Sequence, residues 1–221
     1  MSRPSNRYKA LQTAAALGRV LAFGPMNRAL LLTLVGFAGL GAGVWFAQTR
    51  TPAPDESPAA AVARPAPTRL PDIRLADLNG TVRAVAEWSD RPQLINFWAT
   101  WCAPCRKEMP LLEALHQQQP GIAVIGIAID REEPVRRFLA ETGVTYPILR
   151  GEADAMAVAE SFGDAFAALP FTVIVSPGGE ILQLHTGELT PPQLTTISET
   201  LGALAAGQLT AAEAKAALEA G

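Results

Sequence analysis

Hydrophobic residues are distributed along the chain in two different ways. From Ala29 to Gln48 no charged residue occurs at all, whereas beyond Leu70 the apolar positions fall into short runs and helical spacings set between turn-forming residues. The nineteen residues from Ala29 to Ala47 would form a helix of roughly 28 Å at about 1.5 Å per residue, close to the ~30 Å hydrocarbon thickness of a bilayer. This stretch is therefore expected to be a transmembrane anchor over 29–48. A buried core helix or the apolar part of a cleaved signal peptide are the alternatives, and length and flanks favour the uncleaved anchor.

The second region begins near Leu70. Ile73 and Leu75 alternate with polar neighbours ahead of Asp77-Leu78-Asn79-Gly80, which predicts a short hairpin. A strand over 94–99, a helix over 103–119 with Met109, Leu112 and Leu115 on one side, and an almost wholly apolar strand over 122–129 then form a strand-helix-strand unit. The last run fits a parallel strand covered on both faces. A helix is expected over 132–142, with Pro134 in its first turn and Gly143 at its end, then a strand over 146–149 and a helix over 154–162. Strands over 171–175 and 181–185 form an antiparallel hairpin through Ser176-Pro177-Gly178-Gly179, and Thr190 caps a helix running to about Ala205. The fold class is α/β, with helices flanking a central mixed sheet.

Charge orients these parts. Arg3, Arg7, Lys9, Arg19 and Arg28 precede the span with no acidic residue among them, so residues 1–28 are expected to stay in the cytoplasm and everything after Gln48 to face outward. Residues 49–69, with Pro52, Pro54, Pro58, Pro65 and Pro67 among many alanines, read as an extended linker, residues 70–205 as the folded domain, and 206–221 as an Ala-rich tail. A net charge of −3 offers no broad basic surface, so nucleic acid is not an expected partner.

The chain has only two cysteines, too few for a disulfide scaffold or a four-cysteine zinc site. They occur in Trp98-Ala99-Thr100-Trp101-Cys102-Ala103-Pro104-Cys105, directly after an apolar strand and at the opening of a helix. Free N–H groups and the positive dipole end at a helix start favour a thiolate, which makes Cys102 the candidate nucleophile. Cys105, one turn further in, is then the resolving thiol, and Pro104 suits the first turn because its missing N–H costs nothing there. A structural pair or half of a metal site is the alternative. Two more ligands would be needed, and His116 and His185 are the only histidines.

The segment from Leu94 through Phe97-Trp98-Ala99-Thr100-Trp101-Cys102-Ala103-Pro104-Cys105 to Pro110 resembles the active site of thioredoxin-like thiol-disulfide oxidoreductases of the TlpA/ResA type. The similarity runs over about 70–201 and includes Leu169-Pro170-Phe171 ahead of Pro177-Gly178-Gly179-Glu180. The resemblance implies a thioredoxin fold with an N-terminal hairpin and a central insertion, and Pro170 as a cis-proline beside the sulfurs. The backbone of Leu169 would then pair with an extended substrate. It also implies that Glu108 influences thiol ionisation, as a base able to accept the Cys105 proton, the alternative being an exposed glutamate favoured by the helix dipole. Asn96 stands where many thioredoxins have a buried aspartate, which leaves that acceptor missing. Trp101, with Leu169 and Pro104, is expected to contact substrate, and Trp98 either frames the site or belongs to the core.

By the same resemblance the chain is a reductase on the periplasmic face of a bacterial inner membrane, with no cofactor beyond the Cys102–Cys105 disulfide. Its implied partners are exported disulfide-containing proteins, such as apocytochrome c or copper-site thiols, and a membrane thiol reductase as electron donor. Two competing readings stay open. One is a copper-binding module using the cysteine pair and a histidine, the other a disulfide-forming oxidase that differs only in redox poise.

Overall fold

The computed structural model describes residues 63–220. The anchor expected at 29–48, the basic segment 1–28 and most of the linker lie outside the described residues. Among the described residues no helix is long and apolar enough to cross a membrane.

Seven strands form one mixed sheet: β1 (Arg74–Asp77), β2 (Val82–Ala84), β3 (Gln93–Trp98), β4 (Ala123–Ile129), β5 (Ile148–Gly151), β6 (Phe171–Val175) and β7 (Ile181–Thr186). Their order across the sheet is β2-β1-β5-β4-β3-β6-β7. The helices are α1 (Ala103–Gln118), α2 (Glu132–Thr142), α3 (Ala153–Glu160), α4 (Pro191–Ala205) and α5 (Ala211–Ala220). β3 lies parallel to β4 and antiparallel to β6, and every residue of β3 and β4 is buried. Their near-continuous apolar sequences are what such doubly covered central strands require.

Alternation along the strands divides the core into two layers. Leu94 and Trp98 point toward Met109 and Leu112 of α1, Val135 and Leu139 of α2, and Leu194, Ile197 and Leu201 of α4. Ile95 and Phe97 point the other way, against Ala155 and Ala159 of α3, Phe162 and Phe171. Phe97, Phe162 and Phe171 meet there with ring centroids 5.6–5.9 Å apart. The hairpin β1–β2 and the unit α2–β5, inserted between β4 and α3, supply the two additions that the resemblance implies. β5 runs parallel to β4 and accepts β1 antiparallel on its outer edge.

Within the described residues the expected strands and helices are all present, with small shifts at their ends. The strand expected over 146–149 is Ile148–Gly151, because Tyr146 is buried against the α1 layer and Pro147 has no N–H to give a ladder. Gly143 ends α2 in the left-handed region at φ +69°, with its N–H on the Leu139 carbonyl, the capping geometry that glycine adopts without penalty.

Both borders of the domain lie further out than 70–205. Arg69 bridges Glu180, the Ile181 N–H donates to the Thr68 carbonyl, and the Arg64 N–H donates to Asp164, so the end of the linker already belongs to the folded unit. The C-terminal segment, expected as a tail, is helix α5 docked on the domain. Ala214 and Leu218 recur at i and i+4 and are both buried in the α1-side core, which makes even an alanine-rich helix amphipathic enough to pack.

Candidate active site

β3 delivers the cysteine motif. Continuing its parallel register with β4, which pairs Gln93 with Ala123 and Trp98 with Ala128, sets Thr100 across from Asp130. Asp130 accepts hydrogen bonds from the Thr100 N–H at 3.1 Å and the Thr100 hydroxyl at 2.5 Å. This pins the loop at the carboxyl end of the sheet just before Cys102. Trp101 then projects outward with 69% of its surface exposed, a rare position for so large an apolar side chain.

Cys102 is the N-cap of α1 and the next residues, Ala103 and Pro104, open the helix. Cys102 and Cys105 are joined in a disulfide with Cα atoms 5.3 Å apart. The two sulfurs are not equivalent. Cys102 keeps 5% exposure at the helix start, whereas Cys105 is fully buried. The Cys105 N–H donates to Cys102 Sγ at 3.2 Å, one of the free amides of the first helical turn directed at the outer sulfur.

Glu108 lies one turn beyond Cys105 and is fully buried, so it is not the exposed glutamate that was the alternative. Oε1 accepts from Asn96 Nδ2 at 2.7 Å, and Oε2 accepts from the Leu189 N–H at 2.8 Å. Asn96 Nδ2 also donates to Thr172 Oγ1 at 3.1 Å. The site where an aspartate was missing is therefore filled by an amide that orients the glutamate. Burial pushes the Glu108 carboxyl up to about 7, against the two hydrogen bonds that favour its charged form and with a further upward push from Glu188. Tyr146 shares this interior, and burial, reinforced by Glu108 and Glu113, keeps its phenol protonated.

The Leu169-Pro170 peptide bond is cis. β6 pairs Phe171 with Phe97, so Pro170 and Leu169 continue past the end of the ladder toward the cysteine loop. Pro170 is buried and Leu169 half-buried. The Pro170 carbonyl accepts from the Gly187 N–H at 2.8 Å. The loop after β7 thus holds Pro170 through Gly187 and Glu108 through Leu189.

Trp101, Cys102, Pro104 and Cys105 follow the carboxyl end of β3, Leu169 and Pro170 precede β6 at that same end, Glu108 reaches inward from α1 to Asn96 of β3, and Trp98 lies in the core. His116 and His185 go elsewhere: His116 packs edge-on against Tyr146, and His185 sits in β7. Among the described residues no three His, Cys, Asp or Glu side chains cluster as metal ligands. Asp130, Thr172 and the Gly187-Glu188-Leu189 loop were not identified from the sequence. Asp130 carried a faint signal, a carboxylate at the end of an apolar parallel strand, while the Leu189 contact is made by backbone and leaves no mark in residue type.

The Redoxin family model matches residues 65–204. The thiol:disulfide interchange protein DsbE homolog of Paracoccus denitrificans is 35% identical over 170 residues, covering 76% of this chain and 87% of that protein. The thiol-disulfide oxidoreductase ResA of Geobacillus kaustophilus is 30% identical over 123 residues, 54% of this chain and 68% of that protein. Among solved structures, a thioredoxin-family thiol:disulfide interchange protein from Chlorobium tepidum aligns with a TM-score of 0.55 at 21% identity, over 63% of this chain and 99% of its own. That likeness establishes the thioredoxin-like fold.

Proposed function

Because the chain belongs to the Redoxin family and is a thiol-disulfide oxidoreductase of thioredoxin type, we propose that it works as a reductase on disulfides of exported proteins. The observation that carries the assignment of roles is the inequality of the two sulfurs at the start of α1: the outer one receives a helix amide and the inner one is sealed. In the reduced protein the same amide and the helix dipole favour the Cys102 thiolate. That thiolate attacks a substrate disulfide, forming one S–S bond to Cys102 and releasing the other substrate sulfur as a thiolate. Cys105 then attacks Cys102 Sγ, closing the intramolecular disulfide and releasing the second substrate sulfur. The Cys105 proton passes to Glu108, whose carboxyl near 7 can accept and return a proton at neutral pH.

The exposed Trp101 offers an apolar contact to the substrate, and the backbone at Leu169 beside the cis Pro170 offers it a strand edge. The oxidised pair is returned to dithiol by a membrane thiol reductase. Anchoring by 29–48 with the domain in the periplasm follows from the basic flank and the apolar run. Apocytochrome c or copper-site thiols are the substrate classes proposed.

Replacing Cys105 by Ser tests the reading. The variant, expressed in cells, should accumulate a mixed disulfide between Cys102 and an exported protein that reductant dissolves. A stable, exported variant that yields no such adduct would contradict a disulfide reductase.

A further inference from the structure

Helix α5 lies beyond residue 204, where the family match stops, yet it is built into the domain. A helix of ten residues is marginal alone and needs packing to persist. Here its start is fixed: Thr210 donates through its N–H and its hydroxyl to Glu213 Oε2, both at 2.8 Å, and the Glu213 N–H donates back to Thr210 Oγ1 at 3.3 Å, a reciprocal cap. Its far end is fixed as well, because Gln183 Nε2 of β7 donates to the Leu218 carbonyl at 3.0 Å.

Leu218 lines a small cavity of about 30 Å³ together with His185, Leu189, Gln193 and Ile197. Leu189 is the residue whose N–H holds Glu108 Oε2, so Leu218 and the loop residue that orients the acid face one cavity and belong to one buried cluster. We propose that Leu218 is a positioning residue for Glu108: packed behind the Gly187–Thr190 loop, it keeps the Leu189 amide aimed at the carboxylate. This rests on the assignment of Glu108 as the proton acceptor.

The loop is held at its ends by the Gly187 N–H on the Pro170 carbonyl at 2.8 Å and by Thr190, whose N–H and hydroxyl donate to Gln193 Oε1 at 3.0 and 2.7 Å, which leaves Leu189 between them to be set by packing. Leu189 is 1% exposed and its neighbours in the cavity come from three elements, β7, α4 and α5, of which only α5 enters from outside the family-matched region. The ionisable groups acting on Glu108 are Glu188 on the loop and Tyr146 ahead of β5, Lys107 pairs with Glu188 at 3.8 Å, and the Cys102–Cys105 pair earlier on the same helix is a disulfide here. His185 lines the cavity behind Leu189. Glu213, Lys215 and Glu219 of α5 are all exposed, so α5 acts on Glu108 by packing and brings no charge to it.

The test follows the Glu108 carboxyl by carbon NMR across pH in the full chain and in Leu218→Ala. Loosening the amide removes a donor that favours the charged form, so the midpoint should rise by at least about half a pH unit. Exchange of the Leu189 amide should also quicken at least about tenfold, while the amides of β3 and β4 keep their protection. Gln183→Met, which leaves the apolar contact in place, should give a smaller shift of the same sign. An unmoved midpoint in Leu218→Ala, or unchanged exchange at Leu189, would overturn the proposal. Failure of the proton-acceptor assignment would register separately, as identical pH profiles of thiol reactivity in the unaltered chain and Glu108→Gln.

Discussion

At the scale of single residues, the chemistry depends on two adjoining asymmetries: a sulfur at the helix start beside a sealed sulfur, and a carboxyl buried where it keeps its proton up to about pH 7. The second has a consequence for stability. Glu108 is raised from its ordinary value near 4.5 to about 7, so the folded state holds a proton between those values that the unfolded chain has released. Its contribution is full below pH about 4.5 and is lost as pH rises through about 7, an effect of about 3 kcal/mol. Glu108→Gln, neutral throughout, should lack this slope. Denaturant titrations at pH 5 and pH 8 check it, and equal slopes in the two proteins would contradict the buried, neutral acid. The sequence could point to Glu108 only through its spacing from Cys105. Its burial depends on Asn96 from β3 and an amide 81 residues away, which no local pattern records.

At the scale of elements, the carboxyl ends of parallel β3 and β4 hold the cysteine loop through Thr100 and Asp130. Asp130→Ala leaves three donors, the Thr100 N–H and hydroxyl and the Arg131 N–H, without their acceptor and should destabilise the domain by about 1–3 kcal/mol. It should also slow disulfide reduction by more than that loss of stability explains, because Trp101 and Cys102 lose their fixed presentation. Steady-state reduction of a model disulfide, measured well below the melting temperature, reads this, and an unchanged rate would show that the pair is dispensable. Strands and helices were legible because their signals are local: apolar runs for β3 and β4, Pro134 and Gly143 for α2, Thr190 and Pro191 for α4. The cis bond at Pro170 was legible only through the resemblance, since proline in that position also starts a strand in the trans form.

At the scale of the whole molecule, the domain is larger at both ends than its sequence pattern suggested. Residues 64–69, with Pro65, Ala66 and Pro67, resemble a spacer, but backbone pairing with Glu180 and Ile181 needs no particular side chains. Helix α5 was hidden because Ala214 and Leu218 gain their value only against β7 and α4. On the proposal that 29–48 is the anchor, the chain should stay with alkali-washed membranes and protease added to intact spheroplasts should digest the domain, and protection from protease would contradict the proposed outward orientation. All of these parts serve the inequality between the two sulfurs, and limited alkylation of the fully reduced chain at pH 7 measures it directly. Mapping by mass spectrometry should find Cys102 modified at least about tenfold faster than Cys105. Equal modification, or Cys105 reacting first, would contradict the account.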